Sequence, residues 1–271
     1  MLNTFEETGL EVNELTCDAA FAARKLTARN VGLQMAGIQR LLQALLERPD
    51  AILQELVNAA VELCGADSAG ISVEQENGSE NDFYHWVAVA GMYSGFLDAK
   101  LPRYPSACGI CLERGTAQHF TVSQKFFELL DVQAPLVTDG ILLPWRTEDT
   151  RGTIFVMAHG RTEAFDEDDA RLMEMLAGVA AMGVKQQKQQ KRLIAQERVA
   201  AAAQMANELA HQINNPLQSL TNLAYLLAAA PTEQDAKALQ GELMPHLERL
   251  AAVVKQLLEL PTAANRDASA G

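Results

Sequence analysis

A histidine and a proline five residues apart, His211 and Pro216, sit inside a long amphipathic pattern and form the part of this chain best equipped for chemistry. Around them the sequence runs from Asn207 through Glu208, Leu209, Ala210, His211, Gln212, Ile213, Asn214 and Asn215 to Pro216, Leu217 and Gln218. Met205, Leu209, Ile213, Leu217, Leu220, Leu223 and Leu227 recur at three- and four-residue steps, which is one apolar stripe of a helix. His211, Asn215, Gln218 and Asn222 fall on the opposite side, so the imidazole is expected at the surface. Pro216 has no N–H for the carbonyl of Gln212, and its ring bends the helix just after the histidine. An exposed imidazole beside such a kink suggests a functional histidine, against the blander reading of a surface histidine on a helix that tolerates a proline.

Cys108 and Cys111 have the spacing of a redox pair, but Pro105-Ser106-Ala107 before them only half supports the helix start that a thioredoxin-like site needs. A metal site would need more ligands, and Cys64, His85 and His119 are only loose candidates, so no metal is expected. Two cysteines packed as small apolar residues is the expectation. With Cys17 the cysteines number four, too few and too scattered for a disulfide framework, which fits a reducing compartment.

The elements that must position these residues read in order. Residues 1–46 are a lead-in, acidic and weakly periodic to about residue 17, then one or two helices to Leu46, interrupted near Gly32 or Gly37. Residues 47–184 form a globular domain: a helix opened by Arg48-Pro49-Asp50 and closed by Gly65, then strands at 69–73, 83–90, 117–122, 140–145 and 152–158. A short helix spans Cys108–Arg114, and an exit helix begins at Phe165 with Asp166 as its N-cap. This order describes an α+β domain with an antiparallel sheet flanked by helices. Residues 185–200 are a polar linker, 201–261 a helical hairpin, and 262–271 a small, polar tail expected to be disordered.

Two resemblances follow from these residues. Ser106-Ala107-Cys108-Gly109, Leu112 to Gly115, Leu142-Leu143-Pro144, Gly152-Thr153-Ile154 and Phe165-Asp166 with Asp169, in that order, resemble a GAF domain. The resemblance implies a pocket between the sheet and the irregular middle segment, where family members hold cyclic nucleotides, tetrapyrroles or other small molecules. Tyr84, Trp86, Tyr104, Cys108 and Trp145, with Phe126, are the residues expected there, although aromatics of this kind more often fill core. Bilin-binding relatives often place a histidine after their cysteine, whereas Gly109 follows Cys108, which puts a covalent chromophore in doubt. His211 to Leu217, with the leucines from Leu239 to Leu258 and the ending Gln256 to Leu260, resembles the dimerisation and histidine-phosphotransfer hairpin (HisKA) of sensor histidine kinases. That resemblance implies a dimeric four-helix bundle, His211 as phosphoacceptor and Asn215 as the residue that orients water for receiver dephosphorylation. Gln212 stands where the family usually has an acidic base, and an amide cannot take that proton.

The net charge of −13 argues against nucleic acid or anionic lipid as partner, and no segment is apolar enough to suggest a membrane span. A cytoplasmic location is expected. Only eleven residues follow Leu260, and no phosphate-cradling glycine loop occurs elsewhere, so no cofactor is expected in the chain itself, with ATP and Mg supplied only through a partner kinase domain. The leading expectation is a homodimeric, GAF-regulated two-component module exchanging phosphate at His211 with a response-regulator receiver domain or a separate ATP-binding kinase domain. The alternative is a non-catalytic ligand-sensing and dimerisation module that regulates a partner kinase.

Overall fold

The computed structural model describes residues 5–26, 31–75, 78–229 and 232–259. In chain order the first unit, Met1–Gln190, carries α1 (Phe5–Thr8), β1 (Leu10–Glu14), α2 (Ala19–Ala22), α3 (Val31–Glu47), α4 (Ile52–Cys64), β2 (Ser68–Glu74), β3 (Tyr84–Gly91), β4 (Lys100–Leu101), α5 (Ala107–Arg114), β5 (Gln118–Val122), α6 (Gln124–Leu129), β6 (Asp139–Arg146) and β7 (Arg151–Ala158). A long helix, α7 (Glu167–Ala228), begins in this unit and also contributes to the second, Lys191–Gly271, which holds α8 (Glu233–Glu259). No helix among the described residues is long and apolar enough to cross a membrane.

The seven strands form one antiparallel sheet in the order β1-β5-β6-β7-β2-β3-β4. Alternation along the strands gives it two apolar faces. Ile141, Leu143 and Trp145 of β6 and Ile154 and Val156 of β7 pack under α4 and the first turns of α7, against Ile52, Leu56, Met173 and Leu176. Leu142, Phe155 and Met157 point the other way, toward α5, α6 and the segments between them. At about 1.5–3 kcal/mol for each large apolar side chain removed from water, these two layers hold the unit together. Strand β3 carries a bulge: Ala88 pairs with Ile71 and Trp86 with the next residue, Ser72, leaving Val87 unmatched. The bulge turns Tyr84 and Trp86 to the α5 face while Ala88 and Ala90 face α4.

Local signals explain the boundaries. Gly65 ends α4 in the left-handed conformation (φ +58°), its N–H donating to the carbonyl of Val61. Asp166 Oδ1 accepts from the backbone N–H groups of Asp168 (3.0 Å) and Asp169 (3.3 Å), capping α7. Two expectations for residues 1–46 need correction. Residues 10–14 are an edge strand, paired with β5 from Leu10–Val122 to Glu14–Gln118, and belong to the sheet. Helix α3 runs unbroken through Gly32 and Gly37; a Cβ at Gly37 would lie 2.7 Å from Leu63 Cδ2, so this glycine permits close packing on α4 and does not interrupt the helix. Residues 185–200 are helical throughout as part of α7. The turn after β6 holds that helix near its polar stretch, with Lys185 Nζ 3.3 Å from Glu148 Oε1 and Lys188 Nζ donating to Thr150 Oγ1 at 2.9 Å. The expected tail at 262–271 lies outside the described residues.

A buried polar cluster ties the N-terminal segment to the sheet and to the start of α7. Asp139 on β6 accepts from Arg24 Nη1 (3.0 and 3.1 Å), from the backbone N–H groups of Ala164 (2.6 Å) and Phe165 (3.1 Å), and lies 2.7 Å from His119 Nε2. The other ring nitrogen of His119 is 3.1 Å from Asp18 Oδ2, and Arg24 also donates to the carbonyl of Phe165. Burial pushes the Asp139 carboxyl up, but the His119 hydrogen bond and the Arg24 charge outweigh it and hold the group below the ordinary carboxylate range.

Candidate functional site: an aromatic cavity and an exposed histidine face

A cavity of about 430 Å³ lies on the α5 face of the sheet. Its floor is made by Phe120, Leu142, Phe155 and Met157. Two of these rings lie across neighbouring strands that carry glycine beneath them: a Cβ at Gly70 would stand 2.3 Å from the Phe155 ring, and one at Gly140 would stand 2.5 Å from that of Phe120. Trp86, Tyr93 and Phe96 form one wall, where the Trp86 ring packs 4.9 Å from that of Phe155 and stacks on Tyr93 at 6.1 Å. Phe126, Phe127 and the segment from Leu129 to Val137 form the opposite wall.

That second wall is fastened by two side chains from just beyond the ends of β3 and β7. Tyr93 donates its hydroxyl to the carbonyl of Pro135 (2.5 Å), and His159 Nδ1 donates to the carbonyl of Leu136 (2.8 Å). With the proton on Nδ1, His159 Nε2 accepts from Ser68 Oγ (2.8 Å), whose oxygen in turn accepts from the Tyr93 backbone N–H (3.1 Å). The arrangement resembles a serine–histidine pair in its bonds alone. Ser68 is fully buried, so no substrate reaches its hydroxyl.

Of the residues expected at the pocket, Trp86, Cys108 and Phe126 line the cavity. Tyr84 is buried on the same face beside it, with its hydroxyl raised by burial, and Tyr104 is half exposed. Trp145 lies on the other face of the sheet among the α4 and α7 contacts, because strand alternation places it with Ile141 and Leu143. Cys108 Sγ accepts from Thr153 Oγ1 (3.2 Å), and Cys111 Sγ points to the carbonyls of Thr116 (3.5 Å) and Leu142 (3.7 Å). Both are free thiols, and burial pushes both up, away from the reactive thiolate. Among the described residues no group of three or more His, Cys, Asp or Glu side chains is arranged to hold a metal ion. Tyr93, Phe96 and Phe120 went unread in the sequence. Alternation on β5 pointed to Phe120, whereas Tyr93 and Phe96 lie in the irregular segment after β3, where no periodicity exists to read.

In the second unit, His211, Asn215, Gln218 and Asn222 are all exposed and lie at three- and four-residue steps on α7, and Gln212 is exposed beside them. In this part of α7 the covered positions are Leu209, Ile213, Pro216, Ser219, Leu220, Leu223 and Leu227. Pro216 therefore takes the buried place expected for Leu217, which is exposed, as is Met205. On α8 the less exposed positions, Leu239, Leu243, His246, Leu250 and Val253, also recur at helical spacing. Tyr225, Leu226, Met244 and Val254 remain exposed.

Residues 47–185 match the GAF domain family. Among solved structures the fold is similar to the GAF domain of a phosphoenolpyruvate-protein phosphotransferase from Acinetobacter (14% identity, covering 58% of this chain and 95% of that one, TM-score 0.47). It is also similar to the second GAF domain of DevS from Mycobacterium smegmatis (21% identity, 54% and 99% covered, TM-score 0.42) and to that of a putative sensor histidine kinase from Pseudomonas syringae pv. tomato (19%, 60% and 90%, TM-score 0.40). No curated protein matches the chain in sequence.

Proposed function

The chain belongs to the GAF domain family, and on that premise we propose that its first unit senses a small molecule while its second carries a phosphoacceptor, His211, for a two-component pathway. The observation that carries the second half is the row His211, Asn215, Gln218 and Asn222, exposed together and turned away from the covered stripe of Leu209, Ile213, Leu220 and Leu223. A receiver domain needs such a surface: a nucleophile free to approach an aspartyl phosphate, with amides one turn along to hold phosphate oxygens or a water. A lone pair of the imidazole attacks phosphorus, the aspartate carboxylate leaves, and the phosphoryl group resides on nitrogen. In the reverse sense, Asn215 orients water against a receiver's phosphate. Gln212 supplies only neutral hydrogen bonds, so phosphate reaches His211 from a receiver or from a kinase domain that brings its own ATP and Mg.

The exposed apolar residues Tyr225, Leu226, Met244 and Val254 support a homodimer in which α8 and the second part of α7 form a hairpin that pairs with its copy as a four-helix bundle. Gln212 also favours a second reading, a sensing and dimerisation module without phosphate chemistry. The deciding experiment incubates the full chain with a phosphorylated receiver, and separately with an ATP-binding kinase domain, and follows acid-labile phosphate on His211. Label in the parent and none in His211→Ala supports phosphotransfer; no label in either leaves the second reading.

A further inference from the structure

The aromatic cavity has a lining that discriminates by charge. We infer that it takes an uncharged, largely apolar ring compound, one or two fused or substituted rings in size, and rejects anionic ligands. This rests on the reading of the first unit as a sensor and adds the chemical class of what it senses.

Of the deep polar side-chain groups at the cavity, Ser106, Cys108 and Tyr93 are already engaged within the protein, while the buried indole N–H of Trp86 has no hydrogen-bond partner and can meet a neutral acceptor on a ring ligand. Ser106 Oγ accepts from the Gly109 backbone N–H at 3.3 Å, Cys108 Sγ accepts from Thr153 Oγ1, and the Tyr93 hydroxyl donates to Pro135. Among the described residues no arginine lines the cavity. The one cationic lining residue among those described, Lys100, is exposed and paired with Asp82 at 3.3 Å. A phosphate or carboxylate drawn in would lose its water and find no opposite charge at depth, only the single neutral N–H of Trp86, which is the costly case of charge burial. What the walls do offer is ring faces, from Trp86, Tyr93, Phe120, Phe126 and Phe155, suited to offset and edge contacts with another ring. At the packing density of a protein interior the cavity admits roughly ten to twenty non-hydrogen atoms. Leu129 and Val132, exposed at its edge, continue the apolar lining outward and carry no charge to attract an anion.

The test uses the full chain and three probes: 1-naphthol, 1-naphthalenesulfonate with the same rings and an added anion, and cyclic GMP. Binding is followed by calorimetry on the parent chain and by fluorescence in Trp145→Phe, where Trp86 is the remaining tryptophan and lies in the cavity wall. We expect 1-naphthol to bind at least tenfold more tightly than either anion and to shift Trp86 emission. Two filling variants at separate walls, Ala134→Phe and Ala99→Phe, each checked for a native circular dichroism spectrum, should weaken naphthol at least tenfold. Anions binding as tightly as naphthol, failure of all three probes, or unchanged naphthol affinity in both folded filling variants would overturn the inference. Naphthol binding at the cavity with no effect on His211 labelling would instead count against the sensor reading and leave the ligand class standing.

Discussion

Replacing Asp139 by asparagine removes a charge from the centre of the polar cluster and changes little of its shape. The asparagine oxygen can still accept the Ala164 and Phe165 backbone N–H groups, so what is lost is the carboxylate's interaction with Arg24 and His119. Hydrogen bonds to charged groups contribute about 1.5–3 kcal/mol each. Removing one partner of a buried ion pair costs about 3–5 kcal/mol, and the Asp139 side chain is only 1% exposed, so solvent screening offers little relief. The expected loss is therefore about 3–5 kcal/mol at pH 7. It is measured by urea unfolding of the full chain followed by tryptophan emission, since Trp86 and Trp145 both lie in the first unit. The pH dependence fixes the cause. The native carboxyl of Asp139 is held below the ordinary range, burial notwithstanding, by the His119 bond and the Arg24 charge. Its contribution is then present above the unfolded value of about 3.9 and is lost as pH falls through the native one. The gap between parent and variant should shrink in acid, where a protonated aspartate resembles asparagine. A cost below about 1 kcal/mol at pH 7, or a gap unchanged from pH 7 to pH 3, would refute this account.

Tyr93→Phe removes the hydroxyl that holds Pro135; it should cost about 0.5–1.5 kcal/mol and speed amide exchange between Leu129 and Val137, and exchange equal to the parent's would mean the wall is fastened elsewhere. Cys111→Ser should lower stability by about 1–2 kcal/mol and leave His211 labelling unchanged, while the parent's Cys108 and Cys111 should resist thiol reagents in the native state; rapid labelling of either would contradict their burial. The full chain should sediment as a dimer at micromolar concentration and a chain truncated after Gln190 as a monomer, with a monomeric full chain counting against the paired hairpin.

Much of the first unit is legible because its elements carry local marks. Gly65 after an apolar face, Asp166 before acidic residues, and the alternating runs at 141–145 and 154–158 each report their own structure. Strand β1 escapes because Leu10-Glu11-Val12-Asn13-Glu14 has too short an alternation to stand without β5 beside it, and its pairing partner lies over a hundred residues away. Trp145 was readable and misassigned: its type suits a pocket, but its phase with Ile141 and Leu143 commits it to the other face. The Asp18–His119–Asp139–Arg24 cluster had no signal at all in one dimension, since it joins residues from three separate segments, α2 with its flanks, β5 and β6. On α7 the polar row around His211 followed from helical periodicity, whereas the exchange of Leu217 for Pro216 at the covered position is one step of 100° and lies within the width of an apolar stripe.

The unmatched Val87 in β3 makes the cavity sensitive to chain length in a way its lining residues are not. A substitution at Trp86 alters one contact, but a residue inserted beside the bulge, or a paired residue deleted while Val87 stays, turns everything on one side of the change by half a turn; removing Val87 itself would keep Trp86 opposite Ser72 and Ala88 opposite Ile71. With Ala88 and Ala90 kept under α4, a residue inserted between Trp86 and Val87 would turn Tyr84 and Trp86 off the cavity face and give Ser72 and Val73 the wrong partners. The aromatic wall is thus specified by a count as much as by residue type. Insertions between Tyr84 and Ala88, and deletions there other than that of Val87, should be far less tolerated than replacements, whereas the turn at Ser79–Asp82, outside both strands, has no such phase to keep.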